Sequence, residues 1–567
     1  MRIGATQYNY AYGSQLHFPY SIGTVLAAMP EGFPAEVIHC GIEREYWQSD
    51  VPLLAKTDIL LCSMYVWNIE ITLKVIQGVK QLNPNIMVIC GGPQIPDEAQ
   101  VWLQEHPEVD YVVHGEGEGA LWKALSLPPE EWRTVAGLEG PGWVGPPRER
   151  IMDLETIPSP YLNGTIDELT KFAHSNPDWI VTWETNRGCP FKCHYCDWGS
   201  NIFAKMRQFP MERLRQEVEW FAKKQIVYID CGDSNFGIFP RDGDIAQMLL
   251  EAVQTYGWKT TFRQSWAKNS STKILPIAKT LKAANVLTAV GLALESMDEV
   301  TLKTIERANI KFSSFTELTR MFREAGLPTY TELIRAMPGE TVGSFRDGLA
   351  KLVENSDIKA IYIYNCSILP NAQMAAPRYR QEHGIRSVRS PIYLAHSQAN
   401  RSDVSEYEDI VIETATASMA DVEQMHLLSW MVIVFHSLGL LKYAMTQSGL
   451  PPMEFYEHVL NNPTPTLAAE IERVRQHVKR GFRGEGWDHV DPKYGPIVWP
   501  IEEASWLRLV DSDGAFNQEL IKLFGYALAM RQINKWNMRV MDQDAFEWAK
   551  EVMWYGRRRG AYLRETI

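Results

Sequence analysis

Three cysteines, Cys189, Cys193 and Cys196, stand at the spacing C-x3-C-x2-C within Thr185-Asn-Arg-Gly-Cys-Pro-Phe-Lys-Cys-His-Tyr-Cys-Asp-Trp-Gly-Ser200. Three thiolates on one short loop can hold three irons of a cubane 4Fe–4S cluster. The next cysteine, Cys231, is a strand away, so the fourth iron would keep an open position. A zinc site and three plain buried thiols are the competing readings. Structural zinc sites usually close with four ligands. His194, the residue on offer as a fourth, stands between Cys193 and Tyr195 with little freedom to reach back. The surrounding elements suit the cluster. The apolar, β-branched run Trp179-Ile-Val-Thr-Trp183 predicts a buried strand. Gly188 and Pro190 break it into a loop, which puts the thiols at a strand's carboxyl end.

Gly-Cys-Pro-Phe-Lys-Cys-His-Tyr-Cys, with aromatic Tyr195 just before the last cysteine, resembles the motif of the radical S-adenosylmethionine enzymes. The resemblance implies S-adenosylmethionine bound at the open iron and cleaved reductively to a 5′-deoxyadenosyl radical. The spacing by itself implies only a cluster with an open iron.

At 567 residues the chain is too long for one core and predicts two to four domains. A net charge of −13 argues against general nucleic-acid binding. Eight cysteines in so long a chain are no disulfide framework; Cys40, Cys62, Cys90, Cys231 and Cys366 lie in or beside apolar runs, which suits a reducing cytoplasm. Arg2 leads into a strand-like start without an apolar leader segment, so no signal peptide is expected.

Residues 1–145 alternate strand and helix. Strands are predicted at Arg2–Thr6, Glu36–Gly41, Asp58–Cys62, Ile86–Cys90 and Asp110–Val113, with helices near Ser21–Met29, Ile69–Gln81 and Asp97–Glu105. Such runs predict a parallel sheet covered on both faces, in the flavodoxin-like (Rossmann-type) order, with a ligand over the strands' carboxyl ends. The loops there are Ser63-Met-Tyr-Val-Trp-Asn68, Gly91-Gly92-Pro93-Gln94 and Gly115-Glu116-Gly117-Glu118. This set resembles the cobalamin-binding domain that precedes the barrel in one class of radical S-adenosylmethionine enzymes. The resemblance assigns Ser63, Tyr65, Gly91, Gly92, Gly115 and Glu116 to cobalamin. Asp-x-His-x-x-Gly, the motif that supplies a histidine to cobalt, is missing, and His17 and His39 have the wrong neighbours. A base-off, histidine-off cobalamin is therefore implied, its lower face empty, wet or blocked by a side chain; Tyr65 and Trp67 are the candidates for blocking it, although burial against the sheet suits each of them better.

Pro- and Gly-rich breaks between 137 and 178 predict a connecting segment, drawn as a linker over 146–178. A partial (β/α)6 TIM-like barrel is expected over 179–378, its further strands at Ile226–Asp230, Thr260–Trp266, Leu287–Leu294, Pro328–Ile334 and Ala360–Cys366. Barrel chemistry gathers at strand carboxyl ends. Family resemblance places Tyr195, Asp233, Asn235, Glu295, Ser296, Glu332 and Arg335 around S-adenosylmethionine. Lys268, beside Asn269, suits a substrate contact or an ion pair equally, and Asp242 and Arg307 suit helix capping or a surface ion pair.

Residues 379–567 predict a mainly helical region that closes the site and sets specificity. Its apolar run Leu427–Leu441 is interrupted by His436 and reads as a buried helix rather than a membrane span. Glu423, His426 and His436 fall at helical spacing but stay outside the expected site. Trp499, Trp506, Trp536, Trp548 and Trp554 suggest aromatic packing, and Arg557–Arg559 a solvated helix end.

These features together resemble the cobalamin-dependent radical S-adenosylmethionine methyltransferases. The resemblance implies a 4Fe–4S cluster, S-adenosylmethionine and cobalamin, a small-molecule or peptide substrate, and an electron donor such as a flavodoxin or ferredoxin. A rearrangement or ring-forming enzyme on the same cofactors and a cobalamin-binding sensor are the alternatives. No catalytic residue, substrate or oligomeric state is legible. Because both domains react at their strand ends, those ends should face one buried chamber, with the aromatic C-terminal region closing its side.

Overall fold

The computed structural model describes residues 1–198, 205–268, 272–398, 403–442, 445, 448–512, 515, 516, 518 and 519. Gly199, Ser200, Asn269, Trp536, Trp548, Trp554 and Arg557–Arg559 lie outside the described residues.

The first strands are β1 (Arg2–Asn9), β2 (Gln15–His17), β3 (Glu36–Glu43), β4 (Ile59–Ser63), β5 (Met87–Gly91), β6 (Tyr111–Val113), β7 (Leu138–Gly140) and β8 (Trp143–Val144). One sheet runs β3-β1-β4-β5-β6-β7-β8. Its first five members are parallel and follow the flavodoxin-like order. Ile59-Leu-Leu-Cys-Ser63 is buried throughout, as a central strand covered by helices on both faces must be. The antiparallel β7–β8 hairpin, not anticipated from sequence, covers the β6 edge.

Strand β2 leaves this sheet and pairs in parallel with the first barrel strand, Leu16 opposite Trp179. The barrel strands are β9 (Asp178–Trp183), then the small β10 (Asn186–Arg187) and β11 (Arg207–Gln208), then β12 (Tyr228–Cys231), β13 (Thr261–Arg263), β14 (Val290–Gly291), β15 (Thr329–Arg335) and β16 (Ala360–Asn365). They form the parallel runs β13-β12-β9-β2 and β14-β15-β16, joined where Phe262 N donates to Val286 O at 2.8 Å. Six barrel strands with intervening helices match the expected partial barrel. The sequence reading draws several of them too long, β14 above all. There the backbone turns to positive φ at Glu295, although Leu292 N and Leu294 N still bond Tyr330 O and Glu332 O.

The C-terminal region contains strands as well as helices. β17 (Ser367–Ile368), β18 (Arg386–Pro391) and β19 (Tyr407–Glu413) form an antiparallel sheet, β17-β19-β18. Helices Met419–Val432, Pro452–Asn461, Pro465–Phe482 and Ile501–Val510 follow. The apolar run passes from the first of these into a wide turn, Ile433–Ser437. No described helix is long and apolar enough to cross a membrane. One apolar core is shared between barrel and C-terminal helices, from Val181 and Phe262 to Trp430 and Tyr456.

Two polar seams hold the units together. Asp50 is fully buried; its Oδ1 pairs with His39 Nε2 at 2.8 Å and His174 Nε2 at 2.7 Å, and its Oδ2 accepts from Tyr8 at 3.0 Å. That ties the connecting segment to the first sheet. Arg44 Nη1 donates to Glu406 Oε1 at 2.7 Å, with both side chains fully buried. Glu406 also accepts from the backbone N–H groups of Glu70 and Ile71 at 2.7 and 3.1 Å, so it caps a helix of the first domain from the far end of the chain.

Candidate active site

The cysteine loop is clasped by the end of β12. Asp233 is fully buried and accepts four hydrogen bonds: from Thr185 N at 2.8 Å, Thr185 Oγ1 at 2.5 Å, Asn186 N at 3.1 Å and Asn186 Nδ2 at 2.7 Å. Ser234 Oγ donates to Gly188 O at 2.8 Å, and Asn235 Nδ2 approaches Cys189 Sγ at 3.4 Å. Gly188 has φ +115°, and a Cβ there would stand 2.6 Å from Lys205 O, so the β10–β11 collar requires glycine. Burial pushes the Asp233 carboxyl up to about 7, against the opposing pull of its Thr185 and Asn186 donors. Asp233, expected at S-adenosylmethionine, therefore spends both oxygens on the loop itself.

Cys189 and Cys193 are buried and Cys196 is half-buried. Among the described residues, the trio of metal-ligating side chains whose donor atoms all lie within 4.8 Å is His39, Asp50 and His174; the three sulfurs are not all within that distance of one another. Tetrahedral zinc with Zn–S near 2.3 Å needs S···S edges of about 3.8 Å, whereas in a cubane each thiolate takes its own iron. His194 is turned away, its Nε2 3.6 Å from Glu306 and its ring edge-on to Tyr379. The donor set fits the cluster, and burial, which pushes the Cys196 thiol up to about 12, leaves deprotonation to a bound metal.

Around the loop, Lys268 Nζ lies 3.3 Å from Cys193 Sγ. Arg307, expected as a cap or surface pair, is buried: Nη1 donates to Tyr195 Oη at 3.0 Å and lies 3.5 Å from Glu295. Asp242, likewise expected as a cap or surface pair, is buried and caps no helix: its Oδ2 accepts from Gly237 N and Phe239 N of the loop that leads into its own helix. Glu332 shares the even-numbered, inward face of β15, where Tyr364 Oη donates to it at 3.3 Å. Its carboxyl is raised by burial and by Glu295. Tyr195, Glu295 and Glu332 thus converge on the barrel mouth. Ser296 instead donates to buried Glu340 at 2.8 Å. Arg335 lies on the opposite face of β15, bonded through Nε to Asn365 at 3.0 Å, and Glu502, His426 and His477 are its charged or titratable neighbours. Strand alternation takes it away from Glu332.

A cavity of about 630 Å³ lies between the two sets of strand ends. Ser63, Tyr65, Gly91, Gly92, Gly115 and Glu116 all line it, and Thr182, Glu184, Cys196 and Gly232 of the barrel face them. Tyr65 stacks on Trp67 with ring centroids 4.3 Å apart and bonds Ser21 through its hydroxyl. The Glu116 carboxylate is held by Arg207 at 2.7 Å and by Ile151 N at 2.8 Å. Arg187, missed from sequence although it stands two residues before Cys189, reaches Glu118 at 2.7 Å, Glu184 at 2.9 Å and Glu116 at 3.3 Å, tying cysteine loop to glycine loop. Leu369 and Pro370 and the segment Arg148–Arg150 close the sides. The aromatic C-terminal residues, expected to do so, are not among the described lining. Glu423 pairs with Arg475, His426 stacks on Trp487 and His436 meets Tyr456.

Residues 183–352 match the Radical SAM superfamily and residues 15–125 the B12 binding domain. Cobalamin-dependent radical SAM methyltransferase TokK of Streptomyces tokunonensis is 30% identical over 503 residues, covering 82% of this chain and 73% of TokK. The 2-(S-pantetheinyl)-carbapenam-3-carboxylate methyltransferase of Streptantibioticus cattleyicolor is 37% identical over 369 residues, 64% of this chain and 54% of that enzyme. In fold, the chain is similar to radical S-adenosylmethionine methyltransferase TsrM from Kitasatospora setae, solved with cobalamin and a [4Fe-4S] cluster: TM-score 0.54, 15% identity, covering 85% of this chain and 99% of that one. The two matched domains imply a 4Fe–4S cluster, S-adenosylmethionine and cobalamin. With the cysteine loop and the glycine loops meeting at one cavity and TokK aligned along most of its length, this chain belongs to the cobalamin-dependent radical S-adenosylmethionine methyltransferases.

Proposed function

We propose that this enzyme transfers a methyl group from S-adenosylmethionine, by way of cobalamin, to a carbon of a small molecule bound between residues 1–145 and the barrel of 179–378, with 379–567 as a packing and specificity region. The single cavity shared by the glycine loops and Cys196 carries this reading. When bound, the cluster and S-adenosylmethionine supply one-electron reduction and radical chemistry, and cobalamin supplies the transferable methyl group. The chain's own part is positional. Cys189, Cys193 and Cys196 hold the cluster; Tyr195, Glu295 and Glu332 contact S-adenosylmethionine at the barrel mouth. Ser63, Tyr65, Gly91, Gly92 and Gly115 seat cobalamin, while Glu116 braces the loop through Arg207. Asp233, Asn235 and Ser296 act through the loops they bind, and Arg335 acts outside the barrel mouth.

Cobalamin is base-off and histidine-off in this reading. The histidine among the described lining residues, His114, supports it, since its Nε2 is 2.9 Å from Glu139. The relative from Streptantibioticus, named for a carbapenam carboxylate, and the fold neighbour TsrM, whose structure has tryptophan substrate bound, support a small-molecule acceptor. A flavodoxin or ferredoxin is the proposed reductant in the cytoplasm, a setting that eight free cysteines favour. The test uses anaerobically reconstituted protein with methyl-labelled S-adenosylmethionine. Label should appear on cobalamin before it appears on an acceptor. Bound cob(II)alamin should show no nitrogen superhyperfine splitting in its electron paramagnetic resonance spectrum. S-adenosylmethionine cleavage without label ever reaching cobalamin would leave the rearrangement reading in its place.

A further inference from the structure

Asn235 reaches the sulfur of Cys189 and Lys268 that of Cys193, where the buried Arg307 guanidinium also stands, and the polarity of the hydrogen bonds around Asn235 is forced. Ser234 Oγ gives its proton to Gly188 O at 2.8 Å, so it can only accept from Asn235 Nδ2, 2.9 Å away. The Lys268 backbone N–H donates to Asn235 Oδ1 at 3.2 Å, which fixes the amide with oxygen toward Lys268 and nitrogen toward the loop. The remaining Nδ2 proton faces Cys189 Sγ at 3.4 Å. The side chain of the same Lys268 brings Nζ to 3.3 Å from Cys193 Sγ, flanked by the rings of Phe191 and Tyr195 at 5.6 and 6.0 Å. Asn235 and both of these cysteines are buried, so little water competes for the sulfurs.

We infer that Asn235 and Lys268 are positioning residues that set the reduction potential of the cluster, each by donating N–H to one of its thiolate ligands. This rests on Cys189, Cys193 and Cys196 holding that cluster. Adding an electron makes the cluster more negative, and N–H groups fixed on its sulfurs stabilise the reduced form more than the oxidised one. A full positive charge at Cys193 acts in the same direction and further than a neutral amide. Asn235 and Lys268 therefore keep the potential higher than three bare thiolates would.

The experiment is a redox titration of the anaerobically reconstituted full chain, read by electron paramagnetic resonance of the reduced cluster, with iron content measured on each sample. Lys268→Met should retain its iron and shift to lower potential. Lys268→Arg, which keeps charge and donors, should stay near the parent. Asn235→Leu should shift in the same direction by a smaller amount. An unmoved potential in iron-loaded Lys268→Met overturns the inference. So does loss of iron from that variant, which would make Lys268 a structural brace. Weakened S-adenosylmethionine binding at unchanged potential would make it a substrate contact and equally overturns it. If Asn235→Leu fails to load, the lysine pair decides. Iron missing from the parent chain itself would instead count against the cysteine assignment.

Discussion

Asp233 shows how much a single buried carboxylate can organise. Four donors from Thr185 and Asn186 converge on it, and no water reaches the group. Asp233→Ala leaves the backbone N–H groups of Thr185 and Asn186 buried without that acceptor, each worth about 1–3 kcal/mol. The variant is expected to lose on the order of 2–4 kcal/mol of stability and most of its iron on reconstitution, while still binding cobalamin. Iron analysis and denaturant unfolding check this. Glu340 supplies a pH test. Burial pushes its carboxyl up to about 8, with the Ser296 hydroxyl opposing. A carboxyl raised in the folded state keeps its proton while the unfolded chain loses it near 4.3. Its contribution is therefore complete below that pH and drains away as the pH climbs to about 8. Glu340→Gln retains an acceptor for Ser296. It should match the parent at about pH 4 and exceed it at about pH 9 by on the order of 2–4 kcal/mol in denaturant unfolding.

The loops that follow β4, β5 and β6 work because their glycines admit backbone where a side chain cannot go. At Gly92, φ is +115° and a Cβ would stand 2.4 Å from Met64 O. Gly92→Ala should thus cost about 2 kcal/mol or more and weaken cobalamin binding with it. Gly119→Ala is the control, since its Cβ would meet only the tip of Ile151 at 3.9 Å on an exposed helical position. Unfolding curves and cobalamin titrations should separate the two. If Gly92→Ala kept full stability, close backbone packing would not be what shapes this loop. The β10–β11 collar has the same construction at Gly188, one residue before the first cysteine.

On the scale of the whole molecule, contacts between distant segments decide whether the cavity exists. Asn371, just beyond the barrel, donates to Pro93 O and Ile95 O and accepts from Asp97 N, holding the Gly-Gly-Pro loop against the barrel. The Arg44–Glu406 pair does the same between the first domain and the segment that enters β19. A buried pair that loses one partner leaves an uncompensated charge, at about 3–5 kcal/mol. Arg44→Met and Glu406→Gln should each lower stability by that order, and the double variant by less than their sum. Simple additivity in denaturant unfolding would mean the two side chains act independently.

The cysteine loop, the glycine loops, the alternation of strand and helix and the order of the first sheet were legible in the sequence because each is local. A three-thiol spacing spans eight residues, and the period of a strand or helix is written within a few turns. Seven candidate contacts for S-adenosylmethionine were also nameable, yet their directions were not. Tyr195, Glu295 and Glu332 meet at the barrel mouth, whereas Asp233, Asn235 and Ser296 bond neighbouring loops and Arg335 faces outward. The tertiary structure alone sends β2 into the barrel, closes the cavity with Leu369 and Pro370, and joins Arg187 to Glu118 across 69 residues. In each case a polar group, a strand edge or a cavity wall takes the partner that folding brings to it, and that partner lies tens to hundreds of residues away, where no local pattern records it.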